Sequence, residues 1–433
     1  MKTVTIDVKH VTRVEGHGNI AVKVDNGEIT RLELQIVESP RFFEAFLRGR
    51  RWYEAPHITC RVCGICSVGH TTASVKAVEA ATGIQITGQT RLLRRLLLNA
   101  EHLQSHVLHL YFLAVPDFFG VGSVIPLAST HPDVVKRALR MKKLANDLCG
   151  AVGGRHIHPI AMHAGGFTHV PRVEELVNLK RRLEESRDDL RQTADLYATL
   201  NIPDFTRDTE YVGLRSTDGE YALYDGHLVS TLQPEPTDYA AYRERVIESV
   251  VQHSASKHVR SPKSPTYMVG ALARFNLSGD RLHADATKLA RSLGLEGIVT
   301  NPFHNNTAQL LECIHITEDS IQVIDELLTC GLKEEPLVKP SHFGRGVGIA
   351  EVPRGILFHE YEINDDGMIA GANLVIPTGQ NLANIEADMR DMMPGLLDSG
   401  MGKEQITHRL EMLVRAYDPC ISCATHFLEL EWV

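Results

Sequence analysis

No run of the chain is long and apolar enough to cross a bilayer. The longest stretch without charge, Gly367 to Ile385, is interrupted by Asn373, Pro377, Gln380, Asn381 and Asn384, too polar for the ~20 apolar residues a spanning helix needs. The amino terminus, MKTVTIDVKHVTRVEG, carries Lys2, Asp7, Lys9 and Arg13 and lacks the apolar core of a secretory signal. The expected location is the cytoplasm, unless the chain leaves it on an exported partner. Basic runs are missing as well: 45 Lys and Arg stand against 54 Asp and Glu, a formal net charge of −9, so nucleic acid is not an expected partner. No glycine-rich dinucleotide loop follows a strand, and there is no repeat of roughly 20–50 residues and no low-complexity tract. With 23% charged and 43% hydrophobic residues the chain is neither disordered nor fibrous. Its 433 residues allow two or three lobes or one large composite domain.

What is present begins with short alternating runs. NIAVKV and ITRLELQIV flank Asp25-Asn26-Gly27-Glu28, whose Asn-Gly pair suits a tight hairpin turn. From Arg91 to Val115 the pattern becomes helical, with Leu93, Leu96, Leu97, Leu103, Val107 and Leu110 near multiples of three and four. Leu176, Leu183, Leu190 and Tyr197 form one further helical stripe, and Leu311, Ile314, Ile321, Ile324 and Leu328 another. Pro234 to Asp238 and Ser261 to Pro265 read as surface loops or helix starts, and Gly346 to Pro377 returns to strand-like alternation before a last helix. The expectation is one α-rich α+β unit over residues 1–433, a central helical bundle with small peripheral antiparallel sheets.

The chemistry sits at the two ends. Cys63-Gly64-Ile65-Cys66 is followed by His70, and Cys420-Ile421-Ser422-Cys423 is followed by His426. Two thiolates three residues apart on a turn or helix start point the same way, so each pair is a bidentate chelator and the two pairs supply four soft ligands. A local zinc ribbon needs about 15–20 residues between its pairs, whereas almost the whole chain separates these. A zinc clip joining distant segments remains open, as does a catalytic centre holding a redox-active metal. A thioredoxin-like redox pair is disfavoured because no βαβ pattern surrounds either motif. Cys60, Cys149, Cys313 and Cys330 have no motif around them and read as small apolar residues.

Arg61-x-Cys63-Gly64-x-Cys66-x-x-x-His70, taken with Asp418-Pro419-Cys420-x-x-Cys423-x-x-His426, resembles the two signature motifs of the large subunit of nickel-iron hydrogenases. Val11 to His17, Pro40 to Glu44, Glu351 to Gly355 and Ile376 to Asn381 resemble further motifs of that family, in the same order. Tyr111 to Phe118 and Asn301-Pro302-Phe303 are similar to its bidirectional, NADP-linked or sulfhydrogenase branch, with the heterodisulfide-reductase-linked branch close behind. Rivals are a subunit of the same fold that has lost its metal, as in respiratory quinone reductases, and a structural zinc protein.

The resemblance implies roles. Cys63 and Cys420 would be terminal thiolates on nickel. Cys66 and Cys423 would bridge nickel to an iron carrying cyanide and carbon monoxide. Cys420 would be the first base for a proton from H2, and Glu15 the carboxylate that relays it. Arg354 would overhang the metals, with Asp418 paired to it. Glu44 and His426 would be direct or water-linked ligands of a magnesium or iron ion near the carboxyl end. Taken alone, Glu15 and Glu44 read as ordinary carboxylates, Arg354 as a salt-bridging arginine and Asp418 as a turn starter before proline. Ser105 stands where respiratory members tend to carry an aspartate. His102, His106 and His109 share a helix face, for which packing is the simpler account than a proton path. No thiolates remain for an iron–sulfur cluster, so electrons are expected to leave through an iron–sulfur small subunit, with flavin, NAD(P) or heterodisulfide-reductase-type subunits beyond. Phe427 to Val433 follow His426, where family members commonly carry an extension removed after nickel insertion; a precursor and a brief native end both fit.

Overall fold

The protein is described by a computed structural model covering residues 3–425. Strands β1 (Val4–Val8), β2 (Gly18–Asp25) and β3 (Glu28–Ile36) form an antiparallel sheet in that order. The β2–β3 turn places Asn26 at φ 55° and Gly27 at φ 88°, the double left-handed turn that an Asn-Gly pair favours because its twist matches that of the strands.

Seven long helices follow: α1 (Ser67–Thr82), α2 (Gly88–Leu108), α3 (Pro132–Gly153), α4 (Val173–Ala198), α5 (Asn305–Cys330), α6 (Pro377–Asp398) and α7 (Lys403–Ala416). The helical stripes seen in the sequence become a bundle. Helix α2 packs on α3 and α5, and α4 packs on the same two, closing a ring of four. Leu96, Leu97, Leu183, Leu310, Leu311 and Ile324 are all fully buried there, each stabilising the fold by roughly 1.5–3 kcal/mol relative to exposure. Thr87 starts α2 by accepting a hydrogen bond at Oγ1 from Thr90 N at 3.1 Å, a side-chain cap for an otherwise orphaned amide. The helix expected to run on to Val115 changes character after Leu108, where His109–Ala114 forms a π-helical turn.

The middle of the chain supplies β4 (Glu210–Arg215), β5 (His227–Ser230), β6 (Ile247–Ser249), β7 (His258–Arg260) and β8 (Tyr267–Met268). The β8–β4 pair is parallel, a local departure from the all-antiparallel expectation. A further sheet, β9 (Arg345–Val352), β10 (Gly355–Ile363) and β11 (Ile369–Val375), is antiparallel. Against it lies α1, so close that a Cβ on Gly348 would stand 2.0 Å from Ala73 O and one on Gly346 2.2 Å from Ala81 N. Small residues on both sides permit this approach, and it fixes the start of α1, where Cys66 sits.

Candidate metal centre

The two cysteine motifs arrive on different kinds of backbone. Cys63 is extended (φ −146°, ψ 146°), and Cys66 stands at the N-terminal boundary of α1. The amides of Ile65 and Cys66 donate to Cys63 Sγ at 3.2 and 3.3 Å. At the other end, Asp418 adopts φ 50°, an uncommon left-handed conformation for a residue with a Cβ. Cys420 follows two residues later, at the start of the short helix Ile421–Ala424. Its amide donates to Thr378 Oγ1 of α6 at 2.8 Å.

These segments close on one another. Cys63 and Cys420 Sγ are 3.4 Å apart, Cys66 and Cys423 Sγ 3.5 Å, and the Sγ atoms of Cys420 and Cys423 are in contact. All four sulfurs fall within 4.8 Å of one another and all four residues are buried. The sulfur pairs therefore share a single pocket, which is what a centre with soft ligands requires. The Cys63 thiol is held below its usual range, first by its hydrogen bond with Cys66 and then by the Arg354 guanidinium, against the effect of burial. Cys66 is pushed well above its range by the hydrogen bond with Cys63 and by burial.

Glu15 reaches this pocket from the amino-terminal segment. Its backbone pairs with Cys420, and its carbonyl accepts from Ile421 N at 2.9 Å. Its carboxylate accepts at Oε2 from Cys420 Sγ and from Ser422 N, both at 3.1 Å, and at Oε1 from Ser422 Oγ. Gly16 makes the approach possible: it has φ 87°, and a Cβ there would lie 2.7 Å from Ile421 Cβ.

Arg354 lies in the tight β9–β10 turn and is 4% exposed. Its Nε donates to Asp418 O at 2.7 Å and its Nη2 to Asp418 Oδ1 at 2.9 Å. Gln309 Nε2 holds the other oxygen of Asp418 at 3.1 Å. Burial works to lower the guanidinium pKa, but Asp418, Cys66, Cys63 and Glu15 together hold it above its usual value. Arg354 Nη1 is buried without a hydrogen-bond partner among the described residues. A buried, charged donor left unpaired is costly, and a group carrying negative charge beside the cysteines would satisfy it. Four soft thiolate donors and one orphaned cationic donor therefore fit a metal centre with anionic or polarised ligands.

The remaining expected site residues are placed less completely. Glu44 accepts at Oε1 from Leu374 N at 2.8 Å, tying its short helix to β11. His426 lies outside the described residues, as do Phe427 to Val433. Ser105 is fully buried, and its hydroxyl has no partner among the described residues. His106 Nε2 meets Glu312 at 2.7 Å, and His109 meets Gln309 at 2.6 Å and Arg415 O at 2.8 Å, whereas His102 Nδ1 meets only Leu98 O. Cys60, Cys149 and Cys313 are buried as expected, but Cys330, the last residue of α5, is exposed.

Some residues that build the site were not singled out from sequence. Arg41 Nη2 donates to Val62 O at 2.6 Å and also to Ser422 O, while its own amide donates to Thr425 O at 2.7 Å. One side chain thus ties the two cysteine motifs together. Buried Glu101 accepts from Val68 N at 2.6 Å and Gly69 N at 2.8 Å, the first turn of α1, and burial raises its pKa to about 8. Thr378 and Arg41 both lie within segments already marked by resemblance; Glu101 lies in an ordinary helical stripe and carried no signal.

Comparison with known proteins agrees with this geometry. The nickel-dependent hydrogenase family pattern matches residues 41–132 and 259–426, and a HoxL-like pattern matches residues 5–39. The chain is 33% identical to sulfhydrogenase 2 subunit alpha of Pyrococcus furiosus, over 98% of this chain and 100% of that one. It is 30% identical to the NAD-reducing hydrogenase HoxS subunit beta of Cupriavidus necator, over 96% and 94%. Among solved structures, an NAD+-reducing [NiFe]-hydrogenase in the H2-reduced state superposes with a TM-score of 0.89 at 29% identity, covering 98% of this chain and 100% of that one.

Proposed function

The chain belongs to the nickel-dependent hydrogenases, oxidoreductases acting on H2, and on that premise we propose how its own residues divide the work of converting H2 to two protons and two electrons. Cys63, Cys66, Cys420 and Cys423 would together hold the nickel-iron group through their four thiolates. When bound, that group, with cyanide and carbon monoxide on its iron, would supply a Lewis-acidic, redox-active centre suited to heterolytic cleavage of H2.

Cys420 Sγ is the first proton acceptor, and Glu15 Oε2, 3.1 Å away, takes the proton onward. The Ser422 hydroxyl and amide hold that carboxylate in place. Asp418 and Gln309 fix the Arg354 fork, leaving Nη1 as a rigid donor over the pocket, where fixed charge acts most strongly. Glu44, with His426, is the candidate holder of a magnesium or iron ion near the carboxyl end. The observation that carries this reading is the meeting of Cys63, Cys66, Cys420 and Cys423 in one buried pocket beside Glu15.

Electrons leave, in this reading, to a small subunit bearing iron–sulfur clusters, because Cys60, Cys149, Cys313 and Cys330 form no further ligand set. Flavin, NAD(P) or heterodisulfide-reductase-type subunits lie beyond it. The relatives named subunit alpha of a sulfhydrogenase and subunit beta of an NAD-reducing enzyme support an assembly of that kind. No helix of the described residues is long and apolar enough to cross a membrane, in keeping with a cytoplasmic enzyme. We read residues 1–433 as one large-subunit domain, since β1 packs on α7 and β3 on α6. Elemental analysis of purified enzyme tests the centre: nickel in this subunit, with iron accompanying it, supports the reading, and zinc alone rejects it.

A further inference from the structure

Away from the cysteines, a second set of metal-type donors comes together. His253 lies in the β6–β7 connection, His258 opens β7 and Glu386 projects from α6. One ligand atom from each falls within 4.8 Å of the other two. His253 Nε2 is 2.8 Å from Glu386 Oε1, and the two imidazole rings meet edge to face with centroids 5.5 Å apart. His258 is 7% exposed, and its Nε2 has no hydrogen-bond partner among the described residues. A buried polar nitrogen with nothing to bind is unusual in a native fold and calls for a missing ligand.

We propose that His253, His258 and Glu386 form a second metal site, for a divalent cation of the zinc or ferrous type, separate from the four-cysteine centre. Two imidazoles and one carboxylate are the mixed nitrogen and oxygen donors such ions prefer, whereas calcium and magnesium favour oxygen alone. Tetrahedral zinc with bonds of about 2.0–2.1 Å places its donors ~3.4 Å apart, so His253 and Glu386, now 2.8 Å apart, open slightly and the wider separations, none above 4.8 Å, close for the trio to hold an ion. Glu33 adds negative charge felt by both His253 and Glu386. The side chains of His253 and Glu386 are 24% and 17% exposed, leaving a route for the ion and a position for water.

The surroundings hold the donors in place, as outer contacts do at metal sites. Leu34 N donates to Glu386 Oε1 at 2.8 Å, and Ala255 N donates to Ile36 O at 2.9 Å. The ion would therefore clip the β6–β7 hairpin to α6 at a point already tied to β3. Helix α6 is the element whose Thr378 holds the Cys420 amide, so the clip steadies a support of the catalytic pocket.

The test titrates Zn2+ into chelator-washed, nickel-loaded enzyme and compares it with the Glu386→Gln and His258→Gln variants. The expected result is one more bound equivalent in the unmodified enzyme, with affinity falling at least ~100-fold in each variant and nickel content unchanged. Cobalt(II) in the same site should show ligand-field bands without thiolate charge transfer. Should a buried variant fail to load nickel, His253→Gln at the more open position gives the same reading. Equal zinc uptake in unmodified and variant enzyme, or a cobalt spectrum dominated by thiolate, overturns the proposal.

Discussion

Cys420 Sγ and Glu15 Oε2 stand 3.1 Å apart although 405 positions separate them in sequence. The contact is held on both sides. Glu15 is fastened by the amide and hydroxyl of Ser422, and Cys420 by Thr378. A thiol and a carboxylate at this distance can exchange a proton without rearrangement, which is what the proposed relay from Cys420 to Glu15 requires.

Glu15→Gln keeps the shape and one accepted hydrogen bond from Ser422, turns the other carboxylate oxygen into an NH2 donor, and removes the exchangeable carboxyl proton. Nickel content is expected to stay at the unmodified level, while H2/D2 exchange with solvent falls by at least ~100-fold, within the usual range for a lost general acid–base group. Gas-phase mass spectrometry reads the exchange directly. Undiminished exchange removes Glu15 from the relay.

Cys423→Ser replaces a soft donor with a hard one in a pocket buried on every side. Metal loading and H2 uptake should be lost together, as measured by elemental analysis and uptake assay on the same preparation. Retained nickel and iron with ordinary uptake would show that this sulfur is not a ligand.

Arg354→Lys retains the charge but loses the planar fork that grips Asp418 through both Nε and Nη2. The expected outcome is an enzyme with normal nickel content whose turnover drops on the order of 100-fold, comparable to removal of one oriented donor in other active sites. Steady-state H2 oxidation measures it, and turnover near the unmodified level would deny the guanidinium a part in the reaction.

Gly16→Ala places a Cβ 2.7 Å from Ile421 Cβ and 2.8 Å from Ser422 N, on a backbone with φ 87°. The variant should lose about 1–3 kcal/mol of stability from backbone strain alone, with more from the clash, and thermal unfolding should shift downward. An unchanged unfolding temperature would mean that the amino-terminal segment does not need this close approach.

His102 offers a pH prediction. Burial lowers its pKa from 6.5 to about 3, so the folded protein keeps the ring neutral where the unfolded chain protonates it. The stability this gives is complete above pH 6.5 and declines as pH falls from 6.5 towards about 3. His102→Gln should flatten that part of the stability curve in chemical denaturation series at stepped pH. A slope equal to that of the unmodified chain would contradict it.

Much of this was legible from residues whose chemistry is local. Asn26-Gly27 announced its hairpin because few other pairs tolerate two left-handed conformations in succession. The leucine stripes announced the bundle, because a helix with one apolar face has to bury it. The two Cys-x-x-Cys motifs announced a chelator because donor type and spacing are written in the chain. What was hidden depends on distant partners. Nothing near Arg41 says that its guanidinium will link Val62 O to Ser422 O, and nothing near Glu101 says that it will cap the amides beside Cys66. The π-helical turn at His109–Ala114 and the left-handed Asp418 are likewise set by tertiary packing, which periodicity does not record. Glu351, which opens the late arginine motif, accepts from Arg274 Nη1 at 3.0 Å and from Leu214 N at 2.9 Å, partners that the motif itself does not announce.

The most direct test of the central claim is an infrared spectrum of the purified enzyme. If Cys63, Cys66, Cys420 and Cys423 hold a nickel-iron group, bands of metal-bound cyanide and carbon monoxide should be present and should vanish in Cys423→Ser. A nickel-loaded, active preparation without those bands would contradict the assignment.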